Sequence, residues 1–362
     1  MSNYVTDKSK AIAEKSKSGI GRLIHLYHPR TWKEKGLLWS AGVMLLTYAV
    51  VVLVLGSLWS FEPAQFDVRQ HALQMANGDD NKAKVTGWTT TATVIGIADN
   101  LLHKPGGYLS NDIMPPGVYL DNIPNWEFGV LVQLRDSTAM LRNQFSRAQS
   151  QSMEDKDLAL AQPLFNNDSA KWIFPSAESK YQEGRDVLAR YLERLADAND
   201  HDGQFYARAD NLHLFLEEAA TRLGGYVQRL AASVPQLRIN INLAGDPGAR
   251  QSTPTPSQTM RATPWLKIDD EFYEARGYSW ALLEMLKAFE VDFQAVLQDK
   301  NAVVSLRNII QELEGSQAAV WSPMLLNGTG FGPLANHSLV LAAYMSRANT
   351  ALRDLGNLLR QG

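Results

Sequence analysis

The residue types that could do chemistry are concentrated in one glycine- and proline-rich segment, 103–127. Its carboxylates Asp112, Asp121 and Glu127 could act as general acids or bases if they shared a cleft. Amide, aromatic and guanidinium side chains nearby could bind or orient a ligand. The candidate binding residues of this segment and of the helix after it are Tyr108, Asn111, Asp112, Asp121, Asn122, Trp126, Glu127 and Arg135.

The same segment also has a structural interpretation. It is rich in apolar residues although its glycines and prolines exclude regular secondary structure. Irregular segments of this length are uncommon inside compact domains and are often functional. Alternatively, the segment covers one end of a helical bundle while its Asn and Asp side chains bind their own backbone in turns. A binding surface and a structural cover both remain open.

Signals for other kinds of site are weak. His213 and Glu217 have the i, i+4 spacing that can present two metal ligands on one helix face, but no third ligand stands at a characteristic spacing. The chain has no cysteine, which excludes thiolate metal sites and thiol nucleophiles. We therefore predict no metal and no cofactor, and we assign no catalytic residue.

One segment, 37–61, is predicted to cross a membrane. Its 25 residues contain no charge, and as a helix they would span roughly 37 Å, enough for a hydrocarbon core of about 30 Å. Trp39 and Trp59 would lie about 30 Å apart, a separation that suits the two interfacial belts. A buried core helix rarely runs this long without polar residues. A cleaved signal peptide has a shorter apolar run.

Flanking charge predicts the orientation of this helix. The leader, 1–36, is basic, with Arg30, Lys33 and Lys35 close to the span, whereas Arg69 stands nearly alone after it. The positive-inside rule places the leader in the cytoplasm and the domain 62–362 on the other side. The chain carries a net charge of -3 although its leader is basic, so the domain is acidic. An acidic domain is a poor candidate for binding nucleic acid.

The rest of the chain is predicted to be mainly α-helical. Apolar residues follow heptad spacing in four stretches, and a seam of this kind packs helices at shallow crossing angles. A fifth helix is expected over 178–197, with Ser176 as its N-cap, followed by a turn into an antiparallel hairpin with a helix from Gln204. The heptad stretches are 127–145, 205–230, 272–296 and 341–359. The predicted fold is an N-terminal transmembrane helix followed by an antiparallel helical bundle with long irregular loops.

At most a minor strand element is expected. Residues 237–243 alternate apolar and polar with period two, which predicts a strand whose partner the sequence does not identify. Residues 245–264 are rich in Pro, Ser and Thr without apolar periodicity, so we predict a mobile linker there. The spacing of apolar residues in segment 85–102 favours a helix, although its β-branched residues leave a strand open.

Two stretches, GVYLDNIPNWEFGVLVQLRD (117–136) and RNQFSRAQSQS (142–152), resemble an uncharacterised family of Gram-negative bacterial membrane proteins. That family is catalogued as a domain of unknown function (DUF2333-like), and the similarity extends over most of the chain, including the anchor. The resemblance implies a bacterial inner membrane and a periplasmic domain. It supplies no activity and no site residues.

The leading functional hypothesis is an inner-membrane-anchored periplasmic interaction or scaffold protein, with the bilayer bound through 37–61 and an envelope protein as partner. It rests on the heptad-rich helices, the acidic domain and the lack of a recognisable catalytic motif. The alternative is an envelope enzyme that acts on a cell-wall or lipid-linked substrate through the acidic residues of segment 103–127. An accessory subunit of a transport or secretion complex is a third possibility.

Overall fold

The computed structural model describes residues 26–148, 152–197, 202–239, 258–322 and 324–361. The chain divides into two compact units, Met1–Leu58 and Trp59–Gly362. The described residues form thirteen α-helices and two short strands, so the predicted mainly α-helical fold is confirmed. Most of the predicted leader, 1–36, lies outside the described residues, although its last part contains a short helix.

Helices α1 (Pro29–Lys35) and α2 (Leu37–Trp59) begin in the first unit. Helix α2 coincides with the predicted membrane segment and is the one helix of the described residues that is long and apolar enough to cross a membrane. The helices of the second unit are α3 (Val68–Met75), α4 (Asp80–Ala83), α5 (Trp88–His103), α6 (Asn122–Met140, continued by a π-helical turn, Leu141–Phe145), α7 (Lys156–Phe165), α8 (Ala177–Leu195), α9 (Ala209–Ala231), α10 (Ile268–Asp292), α11 (Gln294–Asp299), α12 (Val303–Ser316) and α13 (His337–Arg360).

Helix α10 is the centre of the second unit, and α6 runs parallel to it. Near their starts, the Asn125 side-chain amide donates to the Asp270 carboxylate at 2.9 Å. Towards their ends, the ring of Phe145 meets that of Phe289 edge to face at 5.7 Å between centroids. The two helices can approach closely because Gly277 has no side chain. A Cβ at this position would lie only 1.9 Å from the Trp126 carbonyl oxygen. This contact fixes the position of α6, whose first residues belong to segment 103–127.

Three further helices run antiparallel to α10. The start of α5 lies against the end of α10, where the Thr90 amide donates to Asp292 at 2.6 Å. Helix α9 places the ring of Tyr226 against Tyr278 at 5.0 Å and thus ends near the start of α10. Helix α12 also ends there. We call this end of the bundle, which carries the first turns of α10, the tether end, and the end that carries Asp292 the distal end.

Helix α8 begins close to where it was predicted to begin. It does not, however, form the expected hairpin with α9. The Ser176 hydroxyl accepts from the Ser179 amide as the N-cap of α8. However, α8 packs on α5 and α7, whereas α9 packs mainly on α13. Helix α9 also begins at Ala209 rather than at Gln204, because Phe205 leaves the helix and packs on Phe145 at 5.2 Å between ring centroids.

The two strands correct the predicted linker. Strand β1 (Gln236–Ile239) pairs antiparallel with β2 (Gln258–Arg261), so the unidentified strand partner lies inside the predicted linker 245–264. Just after β2, the Thr263 amide donates to the Ala232 carbonyl oxygen at 2.8 Å. The part of this segment that the structure describes is therefore paired, while 240–257 lies outside the described residues.

Candidate functional site

A buried ion pair organises segment 103–127. Lys104 contacts Glu127, and the two side chains are only 1% and 0% exposed. Glu127 also accepts hydrogen bonds from the Leu109 amide at 2.9 Å and from the Ser110 amide at 2.8 Å, as well as from the Ser110 hydroxyl. Burial raises the pKa of the Glu127 carboxyl, and Lys104 opposes that effect. Because its oxygens already have these internal partners and no exposure, Glu127 holds the segment closed rather than facing a substrate.

Tyr108 and Asn111 attach the segment to the connection between α7 and α8. The Tyr108 hydroxyl donates to the Ser169 carbonyl oxygen at 3.1 Å, and burial raises the pKa of this phenol well above its usual value. The Asn111 amide donates to the Lys171 carbonyl oxygen at 3.0 Å and to Glu178 at 3.1 Å. Both candidates are buried and have structural roles in the described contacts.

Asp121 and Asn122 lie at the start of α6. The Asp121 carboxylate caps the helix by accepting from the Asn122 amide at 3.0 Å. The Asn122 side-chain oxygen is buried without a hydrogen-bond partner in the described structure. Asp112 lies beside Gly117, and burial together with the neighbouring carboxylate Glu178 raises the pKa of Asp112. Asp112 therefore combines a raised pKa with partial access to solvent.

Trp126 and Arg135 belong to the packing of the bundle. Trp126 is fully buried, and its ring lies 5.3 Å from that of Trp280. The Arg135 guanidinium donates to the carbonyl oxygens of Phe165 and Asn167, at 2.7 and 2.8 Å. Arg135 therefore closes the end of α7 instead of binding an external anion.

The candidate residues form one packed region but do not converge on an acid–base cleft. A neighbouring cavity of about 460 Å³ is open to solvent, and none of the three carboxylates lines it. The lining residues of that cavity are Pro63, Ala64, Asp99, Asn100, His103, Lys104 and Pro105. The arrangement is a packed, covered loop in which Asp121 binds the adjacent backbone, whereas Asn111 binds the connection between α7 and α8 instead of its own turn.

The outer surface of the same region is apolar, a feature that the sequence analysis missed in part. Segment 103–127 exposes Ile113, Met114, Val118 and Tyr119. The adjoining connection between α7 and α8 exposes the run Trp172–Phe174, and the Phe174 side chain is 97% exposed. The tripeptide was visible in the sequence, but without the contacts of Tyr108 and Asn111 nothing linked it to segment 103–127.

The candidate metal pair does not gain a third ligand. His213 Nε2 lies 3.7 Å from a Glu217 carboxylate oxygen on α9. Among the described residues, no group of three or more His, Asp or Glu side chains is arranged to hold a metal ion. The two side chains are neighbours about one turn apart on α9.

The fold and this region together define a helical bundle preceded by one long apolar helix. The chain belongs to the DUF2333 family, described as an uncharacterised protein conserved in bacteria, whose profile matches residues 32–362. The resemblance drawn from two short stretches is thereby confirmed over most of the chain. No curated protein and no solved structure matches the chain.

Proposed function

We propose that this protein is a single-pass anchored interaction or scaffold protein of the bacterial envelope. Helix α2 spans the inner membrane, the leader lies in the cytoplasm, and the bundle stands in the periplasm. The bundle holds segment 103–127 as part of a contact surface, and an envelope protein is among its partners. Catalysis has no role in this proposal.

The exposure of α2 carries the proposal. A core helix of a soluble protein can be equally apolar, but it is buried, whereas only 6% of the apolar stretch of α2 is buried within the structure. Leaving a helix of this length and composition in water would expose a very large apolar surface. A lipid environment removes that cost. The flanking basic residues Arg30, Lys33 and Lys35 support an orientation with the leader in the cytoplasm.

The internal partners of the candidate carboxylates support a contact role over an active site. Glu127 is fully buried against Lys104, and Asp121 caps a helix. The enzyme hypothesis rests on one observation, the raised pKa of Asp112, which would favour a general acid. The variant Asp112→Asn in the purified full-length chain tests the enzyme hypothesis. If the wild type turns over an envelope substrate and this variant does not, the scaffold proposal is overturned.

Alkaline extraction of membranes tests the anchor, and site-specific crosslinking tests the contact. We expect the chain to resist extraction and to float with the membrane. A photo-crosslinking residue at exposed Tyr119 should capture an envelope component, whereas the same residue at Met153, which is also exposed, should not. Buried Tyr108 and Trp126 are poor positions for this test. Extraction of the chain into the soluble fraction would overturn the proposal.

A further inference from the structure

The large apolar side chains exposed by the second unit are strongly segregated. Four connections at the tether end carry most of them. Towards the distal end, the described residues expose Met153 in a connection and Leu160, Leu214 and Val304 in helices. The exposed apolar residues of the tether end, which we call the apolar rim, are Ile113, Met114, Val118, Tyr119, Trp172, Ile173, Phe174, Leu237, Met260, Trp265, Leu266, Trp321, Met324, Phe331 and Leu334.

Hydrogen bonds place the four connections at one end of the bundle. Segment 103–121 leads into the start of α6, where Asn125 binds Asp270 of α10. The connection from α7 to α8 is attached to that segment through Tyr108. The β1–β2 hairpin and Trp265 directly precede the first turn of α10.

The fourth connection, between α12 and α13, reaches the same end from the other side. The Arg276 guanidinium, in the third turn of α10, donates to the carbonyl oxygens of Ser316 and Ala318 at 3.1 and 3.0 Å. At the start of α13, the Asn336 amide donates to Ser233, which follows α9. Trp321 and Phe331 lie between these two attachments.

The chain that leads from the apolar helix is bound at this same end. The Arg276 guanidinium forms a two-oxygen ion pair with Glu62, at 2.8 and 2.6 Å. Glu62 follows Trp59, the last residue of α2, by three positions, and three residues reach at most about 11 Å. If α2 spans the bilayer, Glu62 must therefore lie within about 11 Å of the membrane exit whatever the tilt of the helix, and its ion pair with Arg276 holds this half of the bundle near the membrane.

The composition of the apolar rim fits a lipid interface. Trp and Tyr are enriched at membrane–water interfaces because their rings are amphipathic, and Trp172, Trp265, Trp321 and Tyr119 are of this type. Carboxylates such as Asp112 lie among the rim residues, so attraction to anionic lipid does not explain the composition of the rim. Burial of apolar side chains in the headgroup region is the remaining driving force.

We propose that the apolar rim inserts into the outer face of the bilayer that α2 crosses, so that the bundle stands on the membrane instead of hanging from a flexible tether. This inference rests on the proposed anchor and names lipid as the occupant of the contact surface. An envelope protein then binds elsewhere on the bundle. Because the driving force is apolar, the contact forms on neutral lipid and is insensitive to salt.

The absence of cysteine allows a direct test by site-directed spin labelling. The full-length chain is labelled at Phe174→Cys, Phe331→Cys or Met153→Cys and placed in phosphatidylcholine nanodiscs. The three native side chains are all almost fully exposed in the structure, so Met153 is a matched distal control. We expect the ratio of collisions with oxygen to collisions with a water-soluble nickel complex to be several-fold higher at Phe174 and Phe331 than at Met153. Adding Phe174→Asp should lower the ratio at the Phe331 label, whereas adding Met153→Asp should not.

The other outcomes separate this inference from the proposed function. If the chain resists alkaline extraction but all three labels are equally accessible to the nickel complex, rim insertion is overturned and the anchor stands. If the rim labels are shielded only in native membranes, where the Tyr119 crosslinker captures a protein, the occupant is a protein and the lipid inference is again overturned. If the chain does not stay with the membrane, both proposals fail.

Discussion

The two ends of the bundle differ in the large apolar side chains that they expose. At the distal end, Arg194 links the nearly buried carboxylates Asp155 and Asp157 to the more exposed Asp202, over a core of interlocking phenylalanine rings. At the tether end, the Lys104–Glu127 pair is fully buried and many large apolar side chains are exposed.

This difference shows which end is suited to water. Charged groups at a surface keep their hydration, as the partly exposed Lys156–Asp202 pair does at the distal end. A surface with many exposed aromatic and aliphatic side chains is uncommon in a soluble monomer and marks a contact with a protein or a membrane. The buried Lys104–Glu127 pair fixes segment 103–127, one of the four connections that carry the apolar rim.

The largest effect on stability should come from breaking the ion pair inside the tether end. Lys104→Met leaves the Glu127 carboxylate buried without its cation, and we expect a loss of about 3–5 kcal/mol in the free energy of unfolding. Urea denaturation of the full-length chain in detergent, followed by circular dichroism, measures this loss. Lys104→Met combined with Glu127→Leu should recover part of it.

A distal ion pair provides the control for this comparison. Lys156 and Asp202 are partly exposed on the surface. Lys156→Met should therefore change the free energy of unfolding by less than about 1 kcal/mol. Equal losses at Lys104 and Lys156 would contradict the internal placement of charge at the tether end.

The next effect concerns the close helix contact near the tether end. A Cβ at Gly277 would collide with the Trp126 carbonyl oxygen, so Gly277→Ala must separate α6 from α10. We expect a loss of about 3 kcal/mol, measured in the same denaturation experiment. Gly225→Ala is the matched control, since Gly225 lies in α9 with open space around its Cα, and this change should be neutral or stabilising by about 1 kcal/mol.

Sequence periodicity was sufficient for most of the bundle but not for its ends. Heptad spacing predicted the helices because each buries one apolar stripe, and that stripe is a local property of the sequence. The spacing failed at Phe205, which fits the pattern of α9 but serves tertiary packing against Phe145 and Phe293 instead. Tertiary contacts override local preference at such positions.

The candidate site was predictable only as a segment. Glu127 was identified as chemically interesting, but its partner Lys104 lies 23 positions earlier in an irregular segment with no period to relate them. Strand β2 was hidden for a similar reason, because a four-residue strand inside a Pro-, Ser- and Thr-rich stretch has too few residues to show alternation. Long-range pairing of short irregular segments is set by the whole fold.

The contact between Glu284 and the chain that leads from α2 should make the free energy of unfolding depend on pH. Glu284 of α10 accepts from the Phe66 amide at 3.3 Å, and burial raises the pKa of Glu284 to about 7. Its folded-state pKa then lies above its unfolded value, so the folded protein binds the extra proton and the free energy of unfolding falls as pH rises from about 4.5 to about 7. We expect this contribution to be about 3 kcal/mol and to disappear in Glu284→Gln.

The measurement is the difference between the two pH profiles, because other groups also titrate. Burial lowers the pKa of His71, whose contribution has the opposite sign and is common to both proteins. Glu183→Gln, at a partly exposed carboxylate of α8, is the control for removing a carboxylate at the surface. A Glu284→Gln profile parallel to that of the wild type would contradict a raised pKa at this position.

The smallest effect on stability should come from the apolar rim itself. Phe174 is 97% exposed, so Phe174→Ala removes almost no buried apolar surface from the folded chain, and the free energy of unfolding in detergent should change by less than about 0.5 kcal/mol. Met153→Ala at the distal end should behave in the same way. The two variants should differ only where a membrane is present, with Phe174→Ala weakening the attachment of the bundle to lipid. A large loss of stability from Phe174→Ala in detergent would mean that this ring packs against the bundle, and it would remove the main difference between the two ends.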